Sequence, residues 1–177
     1  EPSMEPKTFY LLNKAKNYQD YLEAISYFSC PGQNIIFASN NNDIAIWQTN
    51  KLIPKWDLQG RFIMDGSKSI YDWKKELPIG HQPHSLNPKR GYLSSANQNP
   101  VDQKYPYFIP GNYAPLFRGA RIDEILEKTD GANYKDLQAI QNDNKSLLAQ
   151  RVVIPLLETI NQNFLSDNQK LIYNSLM

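Results

Sequence analysis

Hydrophobic residues recur at steps of three and four in the first part of the chain, which is the spacing of one face of an α-helix. Within residues 7–28 these positions are filled by Phe9, Leu11, Leu12, Ala15, Tyr18, Leu22, Ile25 and Phe28. The pattern predicts one helix over residues 7–28, ended by the run Cys30-Pro31-Gly32.

Two short runs rich in β-branched and aromatic residues follow this helix. They are Asn34–Ser39 and Asp43–Gln48, and Asn40-Asn41-Asn42 joins them. Because asparagine tolerates the left-handed backbone of tight turns, the pattern predicts an antiparallel β-hairpin.

Proline density changes the picture between Pro54 and Pro115, where eight of the chain's twelve prolines fall. Prolines this frequent prevent long helices. A connection of this length is typically functional, and its many tyrosines and tryptophans indicate that it packs against something. We predict a long loop that lines a site or wraps a partner surface.

The last third of the chain is predicted to be helical. The expected elements are Ala120–Lys128, a helix capped by Asn133 that ends at Gln141, Lys145–Gln162 bent near Pro155, and a fourth helix after Ser166-Asp167. Together with the hairpin, they predict an α+β fold.

Composition excludes several functions. The chain has 177 residues, of which 41% are hydrophobic and 21% charged, so it has enough apolar residues to fold. Its net charge is +1, with both signs interspersed, which argues against nucleic-acid binding. The richest apolar run, Val152–Leu157, is six residues long and too short to cross a membrane.

Few residues suit the common catalytic and metal sites. The single cysteine, Cys30, excludes an internal disulfide. The chain has only two histidines, His81 and His84, so no cysteine/histidine zinc site can form within it. We expect the two histidines to be solvated or locally hydrogen-bonded, and Cys30 to be a small buried side chain.

One ordered series of short motifs is more informative. It comprises Ala15–Tyr18 with the hairpin after it, Asp72-Trp73, Glu76-Leu77-Pro78, Asn87-Pro88, Gly91–Pro100, Tyr105-Pro106 and Arg118–Ile122. In order and spacing, these motifs resemble the central β-chain region of the penicillin acylase (penicillin amidase) family of N-terminal nucleophile hydrolases. The resemblance covers roughly residues 7–160.

The resemblance implies a fragment of a four-layer αββα domain. Residues 1–177 would be one segment of a larger β-chain, with a helix and hairpin in 7–53, a wrapping loop in 54–117 and a helical part in 118–177. It also implies an amidohydrolase that cleaves linear amide bonds of N-acyl substrates. The nucleophile would be a Ser, Thr or Cys at a newly cut chain terminus, with its own α-amine as general base.

That nucleophile is expected upstream of Glu1, so the segment alone is predicted to be inactive. The implied partners are the α-chain and the rest of the β-chain of its own precursor, together with a small N-acyl amide substrate. Neither nucleic acid nor membrane is expected as a partner. The isolated segment would expose a strand edge, which favours self-association. The resemblance also implies a periplasmic or extracellular location.

Four site residues follow from the resemblance. Asn97 aligns with the oxyanion-hole asparagine; its carboxamide is a neutral donor at every working pH. Arg121 aligns with the arginine beside the active site. Phe9 and Gln33 fall at positions that line the acyl pocket. On the residues alone, Asn97 could be a turn-capping asparagine, Arg121 a solvated arginine like Arg118, and Phe9 a core aromatic.

Two further expectations stay open at this point. Many family members bind a structural calcium, and the Gly60-Arg61 and Gly111-Asn112 neighbourhoods are the candidates, although Asn112 stands where an aspartate is common. No cofactor is otherwise expected. The alternative function is a non-catalytic module whose aromatic-rich loop binds a glycan or a peptide.

Overall fold

The computed structural model describes residues 3–56, 58–109 and 111–176, and within them it shows the α+β fold that the sequence predicts. The chain divides into two compact units, Glu1–Ala114 and Pro115–Met177. In the described residues, no helix combines the length and apolarity needed to cross a membrane.

The predicted first helix is in fact two helices, α1 (Glu5–Leu12) and α2 (Tyr18–Ile25). The break has a local cause. Asn17 has an extended backbone and its side chain accepts a hydrogen bond from the Asp20 N–H, while the Asp20 carboxylate accepts one from the Lys16 N–H. This reciprocal cap starts a new helix although the hydrophobic spacing continues.

The predicted hairpin is confirmed. Strands β1 (Gln33–Ala38) and β2 (Ile44–Thr49) pair antiparallel, and the turn residue Asn42 has φ 64°, in the left-handed region. A third strand, β3 (His84–Leu86), pairs antiparallel with β2 and was not predicted. The sheet order is β1-β2-β3.

One face of the hairpin packs on α2. Tyr21 and Ile25 of α2 are buried against Ala45 and Trp47 of β2, and the Tyr21 hydroxyl donates to the Ile35 carbonyl at 2.8 Å. Since side chains alternate along a strand, the neighbours Ile46 and Gln48 occupy the opposite face of β2. The hairpin therefore offers that second face to the long loop.

The long loop has its own small core. Leu52, Leu77 and Ile109 are buried together, with Tyr105, Tyr107 and Tyr113 among the side chains packed on them. The loop histidines are locally hydrogen-bonded: His81 Nδ1 lies 2.8 Å from the Tyr107 hydroxyl, and His84 Nδ1 lies 2.7 Å from the Gln82 carbonyl oxygen.

The expectation that Cys30 is buried is wrong, because its thiol is exposed. The backbone N–H groups of Ser29 and Cys30 both donate to the Glu5 carboxylate at 3.0 Å. The turn is therefore held through its main chain, and the cysteine side chain remains at the surface.

The second unit contains the four predicted helices with shifted ends. They are α3 (Phe117–Leu126), α4 (Tyr134–Gln141), α5 (Leu147–Glu158) and α6 (Asp167–Leu176). The Asn133 cap is confirmed, and Asp136 completes a capping box with it. Helix α5 begins after Ser146, which caps it, and ends before the predicted Gln162.

Arg121 joins two parts of the second unit. Its guanidinium donates to both Asp143 carboxylate oxygens, at 3.0 and 2.7 Å, and to Glu124 Oε2 at 3.0 Å. Asp143 follows α4, so the bidentate pair fastens α3 to the α4–α5 connection. The hydrogen bonds from Arg121 hold the pKa of Asp143 and of Glu124 below their ordinary values.

This geometry predicts a pH-dependent contribution of Arg121 to local stability. A carboxyl whose pKa is lowered on folding stabilises the fold above its unfolded-state pKa, near 4, and the contribution is lost as the pH falls through the lowered pKa. Arg121→Met should therefore raise amide hydrogen exchange in α3 at pH 7, and the difference from wild type should shrink at a pH below the lowered pKa values of Asp143 and Glu124. Arg118→Met, at an exposed arginine of the same helix, is the matched control. An equal effect of Arg121→Met at both pH values would contradict the assignment.

Candidate functional site

A short loop, residues 94–98, lies against the hairpin and carries Asn97. Asn34 Nδ2 on β1 donates to Ser95 Oγ at 2.8 Å. Ala96 is buried, and its N–H donates to Gln98 Oε1 at 2.6 Å. These contacts fix the loop on both sides of Asn97.

Asn97 itself adopts the left-handed backbone, with φ 63°. Its carbonyl oxygen accepts a hydrogen bond from the Ala114 N–H at 2.8 Å. Its side chain is exposed and makes no hydrogen bond within the part of the chain that the structure describes. The Asn97 carboxamide is thus free to donate to a ligand while its main chain is held.

A first cavity, of about 260 Å³, opens beside Asn97. Its side-chain lining is mostly carboxamides, from Gln33, Asn34, Gln48, Asn97, Gln98 and Asn112, together with Tyr113. It contains no aspartate, glutamate, lysine, arginine or histidine among its described lining residues. The cavity is therefore polar and uncharged at neutral pH.

A second cavity, of about 470 Å³, shares the wall formed by Gln33 and Asn34. Its other lining residues are mainly apolar: Phe9, Phe28, Pro31, Ile35 and Ile36, beside Glu5 and Cys30. Phe9 is 55% exposed and its ring meets that of Phe28 edge-on, with 6.2 Å between centroids. Phe9 is thus a surface aromatic on a cavity wall.

Glu5 is the charged group at the rim of the second cavity. A hydrogen bond from Ser3, and further backbone hydrogen bonds that include those from Cys30 and Ser29, lower the pKa of Glu5 to about 2. Its carboxylate is therefore ionised at all ordinary pH values and holds the turn that carries Cys30.

The structure places the four predicted site residues in two groups. Phe9, Gln33 and Asn97 lie in the first unit and line the two adjoining cavities. Arg121 lies in the second unit, where its guanidinium binds Asp143 and Glu124.

Among the polar side chains of the first cavity, sequence reasoning did not assign Asn34, Gln48, Gln98 or Tyr113 to a site. The register of the hairpin pairs Asn34 with Gln48. The predicted hairpin could therefore have indicated Gln48, because Gln48 pairs with Asn34, the residue after Gln33. No sequence signal brings Tyr113 to this place, because its contacts are distant along the chain.

The residues at the proposed calcium positions do not fit that ion. The two neighbourhoods do meet, but Arg61 Nη2 donates to the Gly111 carbonyl oxygen at 3.3 Å, which places a positive charge where a cation would bind. Asn112 brings no negative charge. In the described ranges, no group of three or more His, Cys, Asp or Glu side chains could hold a metal ion.

The arrangement places an apolar cavity beside a polar, uncharged one. Such a pair suits a ligand with an apolar part next to a hydrogen-bonding group. A carboxamide N–H on a held main chain is a neutral donor for such a group.

The chain resembles solved and curated acylases. Its fold matches thermostable penicillin G acylase from Alcaligenes faecalis with a TM-score of 0.67 and 21% sequence identity, over 90% of this chain and 29% of that one. It is 24% identical to the acyl-homoserine lactone acylase QuiP of Pseudomonas fluorescens over 145 residues, which are 81% of this chain and 17% of that protein.

A shorter match is 35% identical to vegetative-specific protein H5 of Dictyostelium discoideum and covers 38% of this chain and 23% of that protein. The matched parts thus span less than a quarter of the length of these curated relatives.

The penicillin amidase family model matches residues 1–174, which is nearly the whole chain. The match agrees with the motif order in the sequence and with the fold of the Alcaligenes enzyme. This chain therefore belongs to the penicillin amidase family.

Proposed function

We propose that this chain is part of an amidohydrolase that cleaves linear amide bonds of N-acyl substrates, and that Asn97 donates a hydrogen bond to the oxyanion. The observation that carries the proposal is the free carboxamide of Asn97 in a held loop, beside a polar cavity that adjoins an apolar one. We propose that the apolar cavity binds the hydrocarbon chain of the acyl group and that the polar cavity binds its carbonyl.

In the proposed reaction, the nucleophile attacks the amide carbonyl carbon and negative charge develops on the carbonyl oxygen. The Asn97 N–H donates to that oxygen, and the interaction strengthens as the charge develops in the transition state. The nucleophile is a Ser, Thr or Cys at a cut chain terminus in the rest of the protein, and its α-amine takes the proton. The segment described here is then inactive without that residue.

Arg121 acts in this proposal as a positioning residue of the complete enzyme. Its two carboxylate partners hold the guanidinium in one orientation. Phe9 and Gln33 contribute to the acyl pocket, with Phe9 supplying apolar contact area and Gln33 forming the wall between the two cavities.

The proposed partner is the remainder of the same precursor. In the second unit, helices α5 and α6 expose Leu148, Val152, Leu156, Leu171 and Ile172, each at about half or more of its surface. Apolar faces of this extent are typical of surfaces that other protein covers. Relatives such as QuiP and the Alcaligenes enzyme are several times longer than this chain. In this proposal, the additional segments of the precursor cover these helices. The proposed location is periplasmic or extracellular.

Replacing Asn97 tests the proposed role. In the complete protein, Asn97→Ala should lower kcat about 100-fold or more, the effect of losing one oxyanion donor, with little change in KM. Asn97→Asp should be equally slow because a carboxylate cannot donate.

The matched control is Asn99→Ala, two residues away, whose side chain accepts from the Val101 N–H. It should keep kcat within about twofold of wild type, since it removes no oxyanion donor. Normal turnover by Asn97→Ala would refute the role. A protein that hydrolyses no N-acyl amide but binds a glycan or a peptide would favour the binding-module function instead.

Replacing Phe9 tests the acyl pocket. Phe9→Ala should raise KM about 10-fold or more for the preferred N-acyl substrate and shift the preference toward bulkier acyl groups, because the ring's apolar contact is lost. The change in kcat should be small, since Phe9 contacts no developing charge.

Tyr10→Ala is the matched control for Phe9: Tyr10 is a neighbouring exposed aromatic that does not line the second cavity. Kinetics on a series of N-acyl chain lengths give the readout. An unchanged KM series for Phe9→Ala would show that the second cavity does not hold the acyl group.

A further inference from the structure

We propose that Tyr113 is a positioning residue for Asn97, acting through the segment Gly111–Ala114, which we call the strap. The inference rests on the proposed function of Asn97 and assigns a role to residues outside the predicted site. The strap connects the small core of the long loop to the backbone of Asn97.

The first observation is the close packing of Tyr113 on Gly111. A Cβ atom at Gly111 would lie 2.8 Å from Tyr113 Cζ and 3.1 Å from its Cε2 and hydroxyl oxygen. The 2.8 Å distance is shorter than real Cβ contacts and 3.1 Å is tight, so a side chain at Gly111 would force the ring to move. The position of the Tyr113 ring therefore depends on the missing side chain at Gly111.

The second observation is that the ring is anchored on rigid parts of the unit. Tyr113 packs on the buried cluster of Leu52, Leu77 and Ile109. Its side chain also interacts with Gln48 of β2, and both residues line the first cavity beside Asn97. The ring thus joins the loop core to the sheet next to the site.

The third observation is the link from the strap to Asn97. The residue after Tyr113 is Ala114, whose N–H donates to the Asn97 carbonyl oxygen at 2.8 Å. At the other end of the strap, the Gly111 carbonyl oxygen accepts from Arg61 at 3.3 Å. A shift of Tyr113 would move the adjacent Ala114 N–H. Through their hydrogen bond, it would also move the Asn97 carbonyl oxygen.

Asn97 needs such support. Its backbone lies in the left-handed region, with φ 63°, which asparagine tolerates better than most residues but which is still sparsely populated, so contacts around Asn97 stabilise the conformation. Oxyanion stabilisation depends on donor position, and a displacement of about 1 Å can cost on the order of 100-fold in rate. The strap therefore acts on kcat through the position of Asn97.

The test is Gly111→Ala in the complete protein, compared with Gly66→Ala. A Cβ at Gly66 would meet no atom within 4 Å, so this control makes the same chemical change in open space. Gly111→Ala should lower kcat about 10-fold with KM within about twofold of wild type, because the acyl pocket residue Phe9 is not displaced. Gly66→Ala should behave as wild type.

A double-mutant cycle shows whether the effect passes through the ring. Tyr113→Ala should lower kcat about 10-fold, and adding Gly111→Ala to it should cost little more, because no ring remains to be pushed. Tyr113→Phe, which keeps the ring, should restore kcat to within about threefold of wild type. The two Tyr113 variants keep the proposal testable if Gly111→Ala does not fold.

The outcomes separate this proposal from the one on which it rests. If Asn97→Ala loses kcat while Gly111→Ala and Tyr113→Ala match Gly66→Ala, the role of the strap is wrong and that of Asn97 stands. If the strap variants raise KM and leave kcat unchanged, the strap shapes the pocket, and the positioning role is also wrong. If Asn97→Ala turns over normally, both roles fall.

Discussion

The site depends on the hydrogen bond between the Ala114 N–H and the Asn97 carbonyl oxygen. Asn97 has a left-handed backbone and its side chain makes no hydrogen bond among the described residues, so its position depends on its main chain and on the loop around it. The neighbouring contacts, from Asn34 to Ser95 and from Ala96 to Gln98, hold the loop on either side. A single hydrogen bond adds only about 1 kcal/mol, yet this one ties the main chain of Asn97 to the strap.

The hairpin supports the site because its two faces have different contacts. Tyr21 and Ile25 bury Ala45 and Trp47 on one face, which makes the sheet a rigid platform. On the other face, the paired Asn34 and Gln48 stand beside the loop and the first cavity. The loop that carries the neutral donor Asn97 therefore lies against a packed strand pair, and the proposed reaction takes its nucleophile from another part of the protein.

Local patterns predicted the elements whose causes are local. The hairpin followed from three asparagines that suit its turn, and α4 from the Asn133 cap. The break between α1 and α2 was missed because the Asn17–Asp20 cap interrupts a hydrophobic spacing that continues across it. Strand β3 and the position of Tyr113 were missed because their causes are not local. Strand β3 is fixed by its pairing with β2, and Tyr113 by the loop core that includes Leu52 and Leu77, tens of residues away in each case. Asn97, Arg121, Phe9 and Gln33 were reached through the family's motif order, since no single residue pattern marks them.

The most direct test of the account is the chain composition of the protein made from its complete gene. Intact mass and N-terminal sequencing should show two chains, and the chain that contains Asn97 should begin with Ser, Thr or Cys. That result would supply the nucleophile that this account places at a cut terminus. A single uncut chain, or a chain containing Asn97 that begins with a residue unable to act as nucleophile, would contradict the amidohydrolase mechanism.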